Sequence, residues 1–170
     1  PPLFYALSVP VYALTGGSLT ALRIWSLVIG GIGVFACYAT VLTIFPGRHS
    51  LAGAAAAVFA LLPQHLHIMA GFNNDSLSEA LLGLTIWQSV RLLRAGQDFP
   101  NIEKGLLALT VGLALFTKAQ AYLSLPIAGL ALLGAAWDAD ARWRKAFTRT
   151  LQFGAIAIVI ALPLWVRNLT

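Results

Sequence analysis

Four stretches without a formal charge, Ile24 to Phe45, Ser50 to Asn74, Ala119 to Trp137 and Thr150 to Val166, constrain this chain more than any other feature. Each approaches or exceeds the roughly 20 apolar residues that cross a bilayer as a helix. Two shorter runs, Ala80 to Val90 and Gly105 to Thr117, lie between them. The first lengthens if Arg91 and Arg94 reach back to the interface. With 59% hydrophobic residues, 10% charged residues and a mean hydropathy of +0.81, the chain reads as an integral membrane protein. No alternating ten-residue pattern points to a barrel, so helices remain the way to satisfy backbone groups in lipid. The expected architecture is all-α, a polytopic transmembrane bundle of about six spanning helices over 19–170, preceded by a short interfacial segment over 1–18. The whole chain, 1–170, is expected to form one transmembrane domain.

The breaks between runs are "FPGRHS" (45–50), "GFNNDS" (71–76), "AGQDFPNIEK" (95–104) and "WDADARWRK" (137–145), with "TKAQ" (117–120) a subtler one. Placing alternate breaks on opposite sides puts Arg48, Arg91, Arg94, Lys104, Arg142, Arg144, Lys145 and Arg149 on one face. Only Arg23, Lys118 and Arg167 fall on the other. The positive-inside rule makes the first face cytoplasmic. "GFNNDS", "TKAQ" and the final "RNLT" then meet outside. Trp25, Tyr122 and Trp165 sit at that outer interface and Trp137 and Trp143 at the inner one, as aromatic belts require. This topology accounts for the net charge of +5, and no nucleic-acid partner is expected. Cys37, the single cysteine, excludes an intrachain disulfide and a cysteine-based metal site. The opening "PPLFYALSVPVYALTGGS" is apolar but interrupted by Pro10 and closed by Gly16 and Gly17. It reads as a helix lying on the outer face, and the start at Pro1, without methionine or a basic leader, reads as an internal fragment.

The chemistry is concentrated where apolar runs meet. Ser76 with Glu79 has the spacing of a capping box, which accounts for that pair locally. Asn73, Asn74 and Asp75 are left over. Their amide and carboxylate oxygens suit a sugar hydroxyl or a divalent cation, although one carboxylate does not make a metal site. His65 and His67 are about 200° apart around a helix, so they do not share a ligand unless Pro63 breaks the helix. One is expected to face the bundle and the other the interface, and His67 is taken as the candidate substrate contact. A helix starting near Lys104 extends only about 20 Å by Thr117, which draws Lys118 below the membrane surface. There it must snorkel, pair or bind an anion. With Arg23 and Arg167 it is a candidate for holding phosphate. "GGIG" (30–33) and "GAAAA" (53–57) are expected to be packing surfaces between consecutive antiparallel helices. There is no phosphate-cradling glycine loop, nucleophile elbow or histidine-rich metal motif.

Taken in order, "PPLFYAL", "LRIWSLVIGGIGVFACYATVLTIF", "AAAAVFALLPQHLHIMAGFNNDSLSEALLGL", "GLLALTVGLALFTKAQAYLSLP" and "LPLWVRN" resemble the integral-membrane glycosyltransferases of the GT-C fold. The nearest branch is the protein mannosyltransferase and aminoarabinose transferase-like superfamily. The resemblance covers nearly the whole chain. It implies transfer of a sugar, hexosyl or pentosyl, from a polyprenyl-phosphate-linked donor to a lipid, glycan or protein acceptor. The reaction would face outside, with the protein in the cytoplasmic membrane of a bacterium. It also implies that the catalytic carboxylate lies in an outer loop just before "PPL", so no catalytic base is assigned within 1–170. Pro1 and Pro2 would then border the active-site groove, Asp75 would occupy the family's second acidic position, and Lys118 its "TK" position. The rival expectations are a transporter or flippase for a lipid-linked substrate and a non-catalytic membrane binding subunit. A carrier would be expected to repeat its interruptions, and "TKAQAYLSLP" has no counterpart in the first half.

Overall fold

The computed structural model describes residues 2–137 and 143–169. Every element there is helical and no strand occurs among the described residues. The helices are α1 (Pro2–Leu14), α2 (Leu19–Ile44), α3 (His49–Leu61), α4 (Pro63–Ala70), α5 (Asp75–Ala95), α6 (Asn101–Thr117), α7 (Ser124–Trp137) and α8 (Trp143–Leu169). Short 3-10 turns, Gly96–Asp98 and Ala119–Leu123, precede α6 and α7. Arg142 lies outside the described residues, as do the side chains of Pro2, Trp137, Trp143, Arg144, Lys145, Arg149, Trp165 and Arg167.

Among the described residues, two helical stretches are long and apolar enough to cross a membrane: α2, and the 3-10 turn joined to α7 over Ala119–Ala136. A third exists if α3 and α4 count as one span, although they meet at a bend of 60°. The bend has a local cause. Leu62 is extended (φ −59°, ψ 127°), as the residue before a proline prefers, and Pro63 then starts α4 at a position where its missing N–H costs nothing.

α5 is the centre of the molecule, with α2 on one side and α6 and α7 on the other. Five of the seven buried positions of α2, Ser26, Gly30, Gly33, Ala36 and Ala39, are small and form one stripe. Small side chains allow the backbones to approach where lipid supplies no hydrophobic drive. The main partner of the stripe differs from the one expected. A Cβ on Gly83 of α5 would lie 3.2 Å from the Cβ of Ala36, and the Met69 thioether fills the space beside Gly30, whereas nothing crowds Gly53 of "GAAAA". α2 also packs on α3, where Ala52 and Ala56 are buried; Gly30 faces α4, and Gly33 lies between Phe59 of α3 and Ala80 of α5.

Two apolar clusters lie along α5. One joins Leu92 and Phe99 to Leu107 and Val111 of α6 and to Phe153 and Ala157 of α8. The other joins Phe4, Ile29, Leu77, Leu81, Ala114 and Ala121, with Trp25 and Phe72 packed on it. α1 is attached through this second cluster: Phe4 is fully buried, while most of the helix is exposed.

Candidate functional site

The second cluster forms the floor of a charged site. α6 ends at Thr117 because Lys118 is extended (φ −163°, ψ 151°), which turns the chain into the 3-10 segment at Ala119. α5 starts at Asp75, whose N–H donates to Asn73 Oδ1 at 2.9 Å in place of a helical partner. These two helix ends meet. The Lys118 ammonium donates to Asp75 Oδ1, and Asn74 Nδ2 donates to the Thr117 carbonyl at 3.3 Å. The Asp75 and Lys118 side chains are 28% and 29% exposed, so both charges are partly dehydrated. Attraction between them is accordingly stronger than for a fully solvated surface pair.

One turn along α5, Glu79 accepts from or shares a proton with His65 Nδ1 at 2.9 Å. His65 is 6% exposed and its ring packs on Phe59, with centroids 4.7 Å apart. The capping-box reading of Ser76 and Glu79 is therefore corrected. Asn74 is the residue before the helix, Ser76 lies inside the first turn, and its hydroxyl donates back to the Asn73 carbonyl at 3.2 Å. A carboxylate one turn into α5 gains more from a buried imidazole than from a partly exposed backbone N–H.

The other candidates are distributed as follows. His67, also on α4, is exposed, while His65 points into the bundle. Because α4 is a single helix, the break at Pro63 does not bring the two rings to a common ligand. Arg23 is exposed in the second turn of α2, close in sequence to Trp25 of the cluster, and forms no ion pair or hydrogen bond among the described residues. Arg167 has no described side chain. Asp75 faces an ammonium rather than further oxygen ligands, and among the described residues no three His, Cys, Asp or Glu side chains gather as a metal site would require. The aromatic rim was not anticipated: Phe4 and Tyr5 of α1 pack on Phe72, at 5.1 Å and 5.8 Å between ring centroids, so the start of the chain lies beside the "NND" turn. The missed signal for Glu79 was its i, i+4 spacing from Asp75, which puts both carboxylates on one helix face.

A helical membrane bundle with paired charges gathered at one end of its helices defines the class: an integral membrane protein with a polar site at a helix junction. Comparison with protein families places it further. The chain belongs to the dolichyl-phosphate-mannose-protein mannosyltransferase family, whose model matches residues 1–166. It is therefore a membrane glycosyltransferase of GT-C type. No curated protein and no solved structure matches the chain significantly.

Proposed function

We propose that the chain contributes the donor-phosphate and sugar-contacting part of an enzyme that moves a sugar from a polyprenyl-phosphate-linked donor to an acceptor hydroxyl on the extracytoplasmic side of the membrane. The six hydrophobic segments, α2, α3 with α4, α5, α6, the 3-10 turn with α7, and α8, would all cross the bilayer. Their charge distribution supports a cytoplasmic Lys104 end and an external Asp75 end. The observation that carries the proposal is the Asp75–Lys118 pair at the junction of α5 and α6.

Cleaving a sugar–phosphate bond leaves an anionic phosphate, and a cation already fixed in a partly dehydrated site stabilises it without reorganisation. The donor phosphate competes with Asp75 for the Lys118 ammonium. Once it succeeds, the Asp75 carboxylate is released beside Asn74 to accept a hydrogen bond from a hydroxyl of sugar or acceptor. Arg23 on α2 and Arg167 at the end of α8 are further candidates for the diphosphate or monophosphate charge, and His67 for the acceptor. The base that deprotonates the acceptor is assigned to a carboxylate preceding Pro1, consistent with Phe4 and Tyr5 lying against Phe72 beside the site.

The test is transfer by the intact protein in membranes supplied with a lipid-linked sugar. Lys118→Ala is expected to lower turnover by about 100-fold, the scale of losing one preorganised electrostatic contact. Undiminished turnover in a folded Lys118→Ala protein would take Lys118 out of the mechanism.

A further inference from the structure

At the end of the molecule remote from Asp75, α6, α7 and α8, with Leu92 and Gly96 at the end of α5, line an open pocket of about 680 Å³. Its size lies within the roughly 300–1,000 Å³ of small-molecule sites. The cause is visible in α6. At Gly112 the helix touches α8, where a Cβ would lie 2.6 Å from the Cβ of Ile160; nearer the α6 start, Gly105 has nothing within 4 Å of the place a Cβ would take. Small residues at Gly105 and Ala108 thus leave space that neighbouring helices do not fill. The walls are apolar, with Leu132, Phe153 and Ile156 among them, and the rim carries Asn101, Lys104 and Gln152.

Lys104 is half-buried on that rim, and its one hydrogen bond among the described residues is a long one to Asn101 Oδ1, 3.4 Å. Among the described residues no carboxylate pairs with it. The adjacent Glu103 is taken by Arg91, 2.8 Å away. The surrounding helix ends are rich in positive charge, with Arg91 and Arg94 on α5 and Arg144, Lys145 and Arg149 in the first turns of α8. An apolar slot with a cation at its rim that no described carboxylate pairs, in a membrane chain, suits an amphiphile with an anionic head.

We propose that this cavity holds one acyl chain of an anionic phospholipid, with Lys104 on the phosphate and Asn101 and Gln152 on the remaining headgroup oxygens. Basic pockets between membrane helices recognise acidic headgroups in this way. The site is separate from the transfer chemistry at Asp75, so it stands whatever the donor and acceptor prove to be.

The test uses the intact protein purified in detergent and equilibrated with equal amounts of phosphatidylglycerol and phosphatidylcholine of identical chains, the retained lipid being counted by native mass spectrometry. The protein is expected to favour phosphatidylglycerol by about fivefold, the contribution of one lysine near an anionic headgroup. Lys104→Gln should erase that preference and Lys104→Arg should retain it. Gly105→Leu, which enters open space, should lower retention of both lipids. Equal retention of the two lipids by the unsubstituted protein, or a preference that survives Lys104→Gln, would overturn the proposal. So would unchanged retention in Gly105→Leu.

Discussion

Lys118 and Asp75 stand 43 positions apart in the chain, and each would be costly alone in a partly dehydrated setting. Removing one charge strands the other. Asp75→Asn and Lys118→Met are each expected to lower stability by about 1–3 kcal/mol, and the double substitution by clearly less than their sum. Chemical denaturation of the four proteins in one detergent would measure the coupling; strictly additive losses would mean that the two side chains act independently. Both residues were visible in the sequence as ionisable groups where an apolar run should continue. Their pairing was not, because nothing local encodes which helix ends meet. Glu79 shows the opposite error. A local pattern with Ser76 explained it so readily that its tertiary partner, His65, went unsought.

At the scale of elements, hydropathy and turn chemistry located the breaks near 45–50, 71–76, 95–104 and 117–120, and the structure has helix ends at each. The run from Ser50 to Asn74 read as one apolar segment, yet it contains two helices at 60°. A hydropathy average is blind to direction, and only Pro63 carried the signal. Packing of α6 on α8 gives a sharp contrast between two glycines on one helix. Gly112→Val should destabilise the protein by about 1–3 kcal/mol through overpacking on Ile160. Gly105→Ala should stabilise it by roughly 0.5–1 kcal/mol, since the new methyl meets nothing and helix propensity rises. Thermal unfolding of both variants checks the contrast, and similar behaviour would mean that α6 does not contact α8 in this register.

For the whole molecule, the sequence supplied the all-helical class and the uneven distribution of basic residues between alternate breaks. It did not supply α5 as the shared centre, because helix order in space follows from which small faces match, and "GGIG" was matched to "GAAAA" of the next helix rather than to α5. Direction across the membrane is open to a direct check in a Cys37→Ala background. Thr15→Cys, exposed just after α1, should react with an impermeant maleimide added outside intact cells; Asp98→Cys, exposed just after α5, should react only after permeabilisation. The reverse pattern would invert the topology proposed for the Asp75 site. Direction, however, is not depth. Where α3 stops at Leu61, the Leu62 amide turns back to the Phe59 carbonyl at 3.3 Å, and Pro63 brings no amide to carry the ladder on, so the carbonyls of the last turn are not satisfied as a continuous helix would satisfy them. Hydrocarbon tolerates such groups only beside protein or water. The bend therefore acts as a fixed draught mark on the hull. Where water is the partner, the bend must ride at a hydrated level, and a membrane thicker than the chain's own would have to thin around α4 or force the protein to tilt.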